Sequence, residues 1–253
     1  MRGLPVIATA RHGPQEDRPP ELFLDVLDRH GITHALLTAP SFFGSDNSYL
    51  LSVLDQYPAR LRGTVIVEPD TGRAALESMA KRGVVGIRLN WFNMAAIPDV
   101  ATPAYRKLFG HVAQLDWHVE IYLEGPKLAQ VLPRVLETGA KAVVDHFGSP
   151  DPGAGVDDAG FRVLLKALEA GRTWVKLTAP YRLGGADAGV YAAALLERGG
   201  PQRLLWGSDW PWTQNMAGKT YQLTLDWLAQ WVPDEAQRAV ILGSTAAALC
   251  KFD

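Results

Sequence analysis

AVVDHFG (142–148) sets three apolar residues in a row and then closes on Asp145, His146, Phe147 and Gly148. A strand covered on both faces reads as such a continuous apolar run. Polar residues at its C-terminal end mark where a parallel α/β sheet keeps its chemistry. The same pattern recurs on either side. ALLTAP (35–40), GTVIVEP (63–69), VVGIRLN (84–90) and HVEIYLE (118–124) precede it, and TWVKLTAP (173–180) and LLWGSDWP (204–211) follow.

The stretches between these runs carry helical periodicity. Residues 20–30 put Leu22, Phe23, Val26 and Leu27 on one face before Gly31, a natural stop. Residues 46–57 do the same with Leu50, Leu51 and Leu54, and Pro58 ends them. Further helices are predicted over 71–82, 103–115, 126–138, 157–170, 187–198, 219–231 and 234–250. Strands alternating with helices mean a parallel sheet, here an α/β fold of the (β/α)8 TIM-barrel type in one domain over 1–253. An open doubly wound sheet would carry a glycine-rich phosphate loop after its first strand. Neither G-x-G-x-x-G nor G-x-x-x-x-G-K-[ST] occurs. The barrel is short of one strand, because a helix comes first. LPVIATA (4–10) either fills that place or lies outside as an N-terminal arm. Without it the sheet has two raw edges, which a homo-oligomer could also cover.

Composition narrows the partners. Apolar residues make up 47% of the chain and charged residues 21%, and 25 basic against 27 acidic groups leave a net charge of −2. Nothing there favours nucleic acid or a membrane surface; the expected partner is a small anionic molecule. Cys250 is the single cysteine and cannot form an internal disulfide, which suits a reducing, cytoplasmic location. No apolar run approaches the roughly 18 residues of a membrane span, and MRGLPVIATARHG lacks a signal peptide's apolar core.

The residues placed at strand ends are Ser41, Glu68, Arg88 with Asn90, Tyr122 with Glu124, Asp145 with His146, Lys176 with Thr178, Tyr181 with Arg182, and Asp209. Asp209 sits among Trp206, Trp210 and Trp212, where a carboxylate must be paired, ligated or used; a loop-capping role is the alternative. His146 is the histidine at a strand end, and alternation sends Asp145 to the opposite side, to pack outward or fix a helix. Histidines 30, 34, 111 and 118 fall at helix ends or strand starts, whereas His12 lies on an arm that could fold over the mouth. Arg88 and Arg182 suit bidentate capture of a substrate carboxylate. Their plainer role is an ion pair with Glu68 or Glu124. Of the tryptophans, Trp91 and Trp212 are expected to line the pocket.

GIRLN, VVDHFG, VKLTAPYR and LLWGSDWPWTQ, with SFFGSDNSYLL earlier, resemble the amidohydrolase-related group, and within it the 2-pyrone-4,6-dicarboxylate lactonase-like hydrolases. The resemblance implies a distorted (β/α)8 barrel in which Asp209 activates water and His146 polarises the substrate or ligates a divalent ion. It implies that Arg88, Tyr122 and Arg182 hold a substrate carboxylate, with Gln214 and Ser41 contributing from loops. Members of the group begin with a strand bearing an H-x-H pair, followed by a stretch similar to RGLPVIATARHGP, within which this chain starts. The first strand and its histidines are therefore expected to be absent, through a late start site or through loss. Catalytic zinc keeps three protein ligands, so with His146 and Asp209 alone the set is incomplete. The expected activity is hydrolysis of a carboxylated lactone or related cyclic ester by Asp-activated water. The alternatives are a metal-dependent decarboxylase of the same superfamily and a small-acid-binding relative without chemistry.

Overall fold

The structure is a computed structural model that describes residues 4–10, 12–14 and 16–252; of the N-terminal stretch quoted above, Arg2, Gly3 and Arg11 lie outside them. Seven parallel strands run in sequence order, each bonded to the next: β1 (Ala35–Thr38), β2 (Leu61–Val65), β3 (Val84–Asn90), β4 (His118–Tyr122), β5 (Lys141–Val144), β6 (Thr173–Leu177) and β7 (Leu204–Trp206). Every apolar run overlaps its strand, though β2 and β5 begin before their runs, and most strands stop short of the run's C-terminal end. LLWGSDWP, for instance, pairs only through Trp206. Register sets Arg88 beside Glu120, and Glu120 beside Val143.

Helices cover the outer face: α1 (Pro20–Arg29), α2 (Ser48–Gln56), α3 (Arg73–Ala80), α4 (Pro103–Gln114), α5 (Leu128–Glu137), α6 (Ala159–Glu169), α7 (Ala188–Gly199) and α8 (Tyr221–Trp231). Pro20 and Pro103 start their helices where no intrahelical N–H is needed. Asp158, Asp187 and Thr220 cap α6, α7 and α8 by accepting from the amides of Phe161, Gly189 and Leu223. In α5, Leu128, Val131, Leu132 and Val135 share the buried face and join one core with Val119 and Ile121 of β4. Full burial of each is worth about 1.5–3 kcal/mol.

The helix expected over 234–250 is instead three pieces: α9 (Glu235–Ala239), a π-helical turn (Val240–Thr245) and α10 (Ala246–Cys250). Leu249 of α10 packs with Val143 and Leu205 in a small cluster of its own.

β1 and β7 do not pair with each other, and among the described residues no strand lies between them. LPVIATA does not fill that place, since residues 4–10 form no strand. Its Pro5 has no N–H to give a ladder. The stretch is an arm. The Ile7 amide donates to the Phe42 carbonyl just beyond β1, at 3.0 Å, and the His12 ring meets Phe42 edge-on at 5.8 Å. Farther along, Arg18 and Phe23 reach Trp210, just beyond β7. The arm thus crosses the gap at the strands' C-terminal end.

Candidate active site

Side chains alternate along a strand, so His118, Glu120 and Tyr122 of β4 share the inner face and rise from floor to mouth. At mid-height four inner-face groups close a ring. Arg88 Nε lies 2.9 Å from Glu120 Oε1 and Arg88 Nη2 2.9 Å from Asp145 Oδ2. Lys176 Nζ lies 2.7 Å from Glu120 Oε2 and 3.0 Å from Asp145 Oδ1. Arg88 Nη1 also donates to the Ala39 carbonyl at 3.0 Å. Burial works against the Asp145 carboxylate, yet Lys176 and Arg88 outweigh it and hold it below the usual range. Burial and the neighbouring Asp145 charge push Glu120 up instead. For Lys176, the two carboxylates overcome burial and keep the ammonium charged.

The ring corrects two expectations. Asp145 faces inward, not outward. Val143 stands beside Glu120 on the inner face, and Asp145 is still extended, with φ −73° and ψ 151°, so alternation from Val143 carries it inward. His146, with φ +49°, is the residue that breaks the alternation, and both side chains reach the interior. Arg88, for its part, pairs with Glu120 and Asp145 rather than with Glu68 or Glu124. Glu124 serves its own loop, accepting from the Asn93 amide at 2.9 Å and pairing with Lys127 at 3.1 Å. Glu120 was not singled out in the sequence. Its signal was a lone carboxylate between Val119 and Ile121, in a strand too apolar to be solvated.

Below the ring, His118 is buried and neither ring nitrogen has a hydrogen-bond partner. Gly86, opposite it, makes room for the ring: a Cβ there would stand 2.7 Å from His118 Nε2. Burial, with Lys176 and Lys141 adding to it, lowers the His118 pKa to about 3.

Above the ring lies the mouth. Non-glycine residues with positive φ concentrate in the loops after β5, β6 and β7: His146, Phe147, Ser149, Ala179, Asp209, Trp212 and Gln214. Such conformations are costly for side chains with a Cβ and cluster where function fixes them. Here they turn three chain ends back over the barrel. Asp209 Oδ2 accepts from Tyr181 Oη at 2.6 Å, Arg182 Nε at 3.1 Å and Arg182 Nη2 at 3.0 Å. All three donors land on one oxygen. Burial and the Asp209 charge raise the Tyr181 pKa, and Asp209 overcomes burial to raise that of Arg182. His146 Nδ1 is bonded to the Thr178 hydroxyl, and its ring stands edge-on to Tyr122, centroids 4.7 Å apart. Burial lowers the His146 pKa to about 4, against the pull of Asp209 and Asp145, so the imidazole is neutral at pH 7.

One cavity of about 1170 Å³ joins these groups. Ser41, Arg88, Tyr122, His146, Arg182, Asp209 and Gln214 all line it, as do Asn90, Lys176 and Thr178. Glu68 and Glu124 do not. Trp91 and Trp212, expected in the lining, stay out of it, and Trp206 and Trp210 take their place. Trp91 is buried edge-on against Tyr105, and Trp212 donates its ring N–H to the Ser208 carbonyl at 2.9 Å. His12 lines the cavity from the arm.

Among the described residues, no three His, Cys, Asp or Glu side chains gather to hold a metal ion. His146 and Asp209 supply two donors, and Oδ2 of Asp209 is already engaged. The residues present do not fit a catalytic zinc with three protein ligands.

Residues 4–252 match the sequence model of a family described as amidohydrolase. A probable 2-pyrone-4,6-dicarboxylic acid hydrolase from Acinetobacter baumannii, crystallised with citric acid bound, superposes with a TM-score of 0.93 at 34% identity, over 98% of this chain and 95% of that one. A 4-sulfomuconolactone hydrolase of Rhizobium radiobacter is 28% identical over 92% of this chain and 80% of its own length. A D-galactarolactone isomerase of Agrobacterium fabrum is 26% identical over 92% and 81% respectively.

Proposed function

The chain belongs to the amidohydrolase family, and on that premise we propose that it is a hydrolase opening a carboxylated lactone or related cyclic ester. One observation carries the reading: Asp209, three residues beyond β7, takes Arg182 and Tyr181 on Oδ2, in the cavity that also holds a neutral His146. A carboxylate with one oxygen fixed and, among the described residues, no donor on the other suits a general base oriented toward water.

The steps balance without a further reactant. Asp209 takes a proton from water, whose oxygen bonds to the lactone carbonyl carbon. The mechanism requires the Thr178 hydroxyl to donate to Nδ1 in their shared hydrogen bond, which places the His146 proton on Nε2 for the developing oxyanion. A neutral imidazole in that role avoids a buried charge. The ring C–O bond then breaks, and the proton held by Asp209 passes to the departing ring oxygen, leaving a hydroxy acid.

Arg182 and Arg88 hold the substrate carboxylate, with Tyr122, Ser41 and Gln214 around it. A guanidinium has five N–H donors. Three of those on Arg88 face Glu120, Asp145 and Ala39, which among the described residues leaves two. The donor set among the described residues favours this hydrolase over the metal-dependent decarboxylase. Among the described residues no helix is long and apolar enough to cross a membrane, and the buried thiol of Cys250 suits a cytoplasmic location. A panel of carboxylated lactones, assayed with the native chain and with Asp209→Asn, tests the proposal. Turnover by the native chain that Asp209→Asn abolishes supports it. Equal turnover by both refutes the mechanism, and saturable binding without turnover would make the chain an acid-binding relative.

A further inference from the structure

Tyr181 and Arg182 both donate to Oδ2 of Asp209, but they stand differently toward the cavity. Arg182 lines it and Tyr181 does not. A substrate anion held by Arg182 therefore competes with Asp209 for the same guanidinium. Arg182 Nη2 is already divided between Asp209 Oδ2 at 3.0 Å and the Thr213 carbonyl at 3.5 Å. Tyr181 has a single O–H to give, and it goes to Oδ2 at 2.6 Å, the length of a charge-assisted O–H···O⁻ bond. Burial and the Asp209 charge keep the phenol protonated, so it stays a donor to that oxygen throughout.

The phenol is held from behind. Ala179, with φ +51° and ψ 60°, turns the chain after β6 into the short Pro180–Arg182 helical turn that presents Tyr181. The Lys219 ammonium lies 5.1 Å from the centroid of the Tyr181 ring, and Trp227 of α8 meets the ring at 6.1 Å. Trp227 stacks on Trp231 of the same helix at 6.2 Å and 18°. Trp231 in turn meets Phe147 edge-on at 5.0 Å, and Phe147 directly follows His146. One helix thus carries an aromatic row with the donor to the proposed base at one end. The neighbour of the proposed oxyanion donor stands at the other.

We propose that Tyr181 is a positioning residue: its hydroxyl holds Oδ2 of Asp209 while Arg182 turns to the substrate's anionic group, so that the other carboxylate oxygen stays aimed at water. This rests on the hydrolase reading. Tyr181 touches no reacting atom and takes no proton; it acts through Asp209. The two donors on Oδ2 divide the work, one movable and facing the cavity, the other fixed and outside it.

The test measures kcat and KM separately on a carboxylated lactone, in the native chain, in Tyr181→Phe, and in both again with Asp209→Asn added. Phenylalanine keeps the ring against Trp227 and Lys219 and removes only the hydroxyl. The expected result is that Tyr181→Phe lowers kcat about 10- to 100-fold, as loss of a hydrogen bond to a charged group does. KM stays within about twofold of native, the mark of an interaction that matters in the transition state, and the thermal midpoint moves little. In the Asp209→Asn background the same change costs less than about twofold, because no base remains to be aimed. A kcat unmoved by Tyr181→Phe, a loss in KM alone, or an equal loss in the Asp209→Asn background overturns the proposal and leaves the hydrolase reading standing. A native chain that opens no lactone of the panel removes the hydrolase reading and the positioning role together.

Discussion

Two arginine–carboxylate assemblies sit one layer apart in this barrel. In the lower one, Glu120 and Asp145 each meet both Arg88 and Lys176, with side-chain exposures from 0% to 14%. In the upper one, a single carboxylate, Asp209, meets Arg182 and Tyr181 on one oxygen, with both ion-pair members near one-fifth exposed. The same chemical groups serve opposite ends. Where every charge is answered from several directions and sealed, the protein has a brace. Where one oxygen of a pair is left over and water can reach it, the protein has a reagent.

The largest expected effect breaks the upper assembly. Asp209→Asn should lower kcat by about 10²–10⁴-fold, the range for losing a general base, while the thermal midpoint moves little. Lys176→Met comes next, acting on the lower assembly. Uncompensated burial of its carboxylate partners should remove about 3–5 kcal/mol of stability in urea titration, and the double variant Lys176→Met with Glu120→Gln should regain part of it. A Lys176 variant that unfolds normally but has lost its rate would erase the distinction between brace and reagent.

Acid should act on the histidines either side of the brace. His118 and His146 have folded pKa values near 3 and 4, below the ordinary 6.5. Between those values the unfolded chain binds more protons, so stability is full above about pH 6.5 and falls as pH drops toward 4 and then 3. His118→Leu should flatten that slope by up to about 1.4 kcal/mol per pH unit, measured by denaturation at pH 4, 5 and 6. The smallest effect belongs to Thr178→Val, which removes the partner of His146 Nδ1 and frees the imidazole tautomer. A loss of about 1 kcal/mol, roughly fivefold in kcat/KM, is expected without a stability change of similar size.

Strand and helix positions were legible because burial on both sheet faces writes itself as unbroken apolar runs. VVGIRLN matched β3 end to end. Strand ends were not legible: aromatic Phe147 and Trp210 follow the polar residues beyond Val144 and Trp206, and backbone turned to positive φ at His146 and Asp209 is what separates strand from loop. That same turn brought His146 to the inner face beside Asp145, so counting alternation back from His146 wrongly put Asp145 outside. His146, Arg182 and Asp209 were readable as polar residues at strand ends, and the cavity does bring them together. The ring of charge was half readable. Arg88 and Lys176 stood out, but their partners depend on the register of Arg88 beside Glu120, a relation between segments that no local pattern records.

The unpaired edges of β1 and β7 have a consequence in time as well as in space. A closed barrel has no first or last strand, and its backbone amides can open only through collective loosening. This sheet has ends: β4 is flanked by three strands on each side, while β1 and β7 each bond to a single neighbour. Local opening draws on the least supported elements first. Deuterium should therefore enter from both flanks inward, with β1 and β7 exchanging earliest and β4 last. The carboxylate of Asp209 hangs from one of the fast flanks and Glu120 sits on the slow centre, so the reagent and the brace keep different clocks.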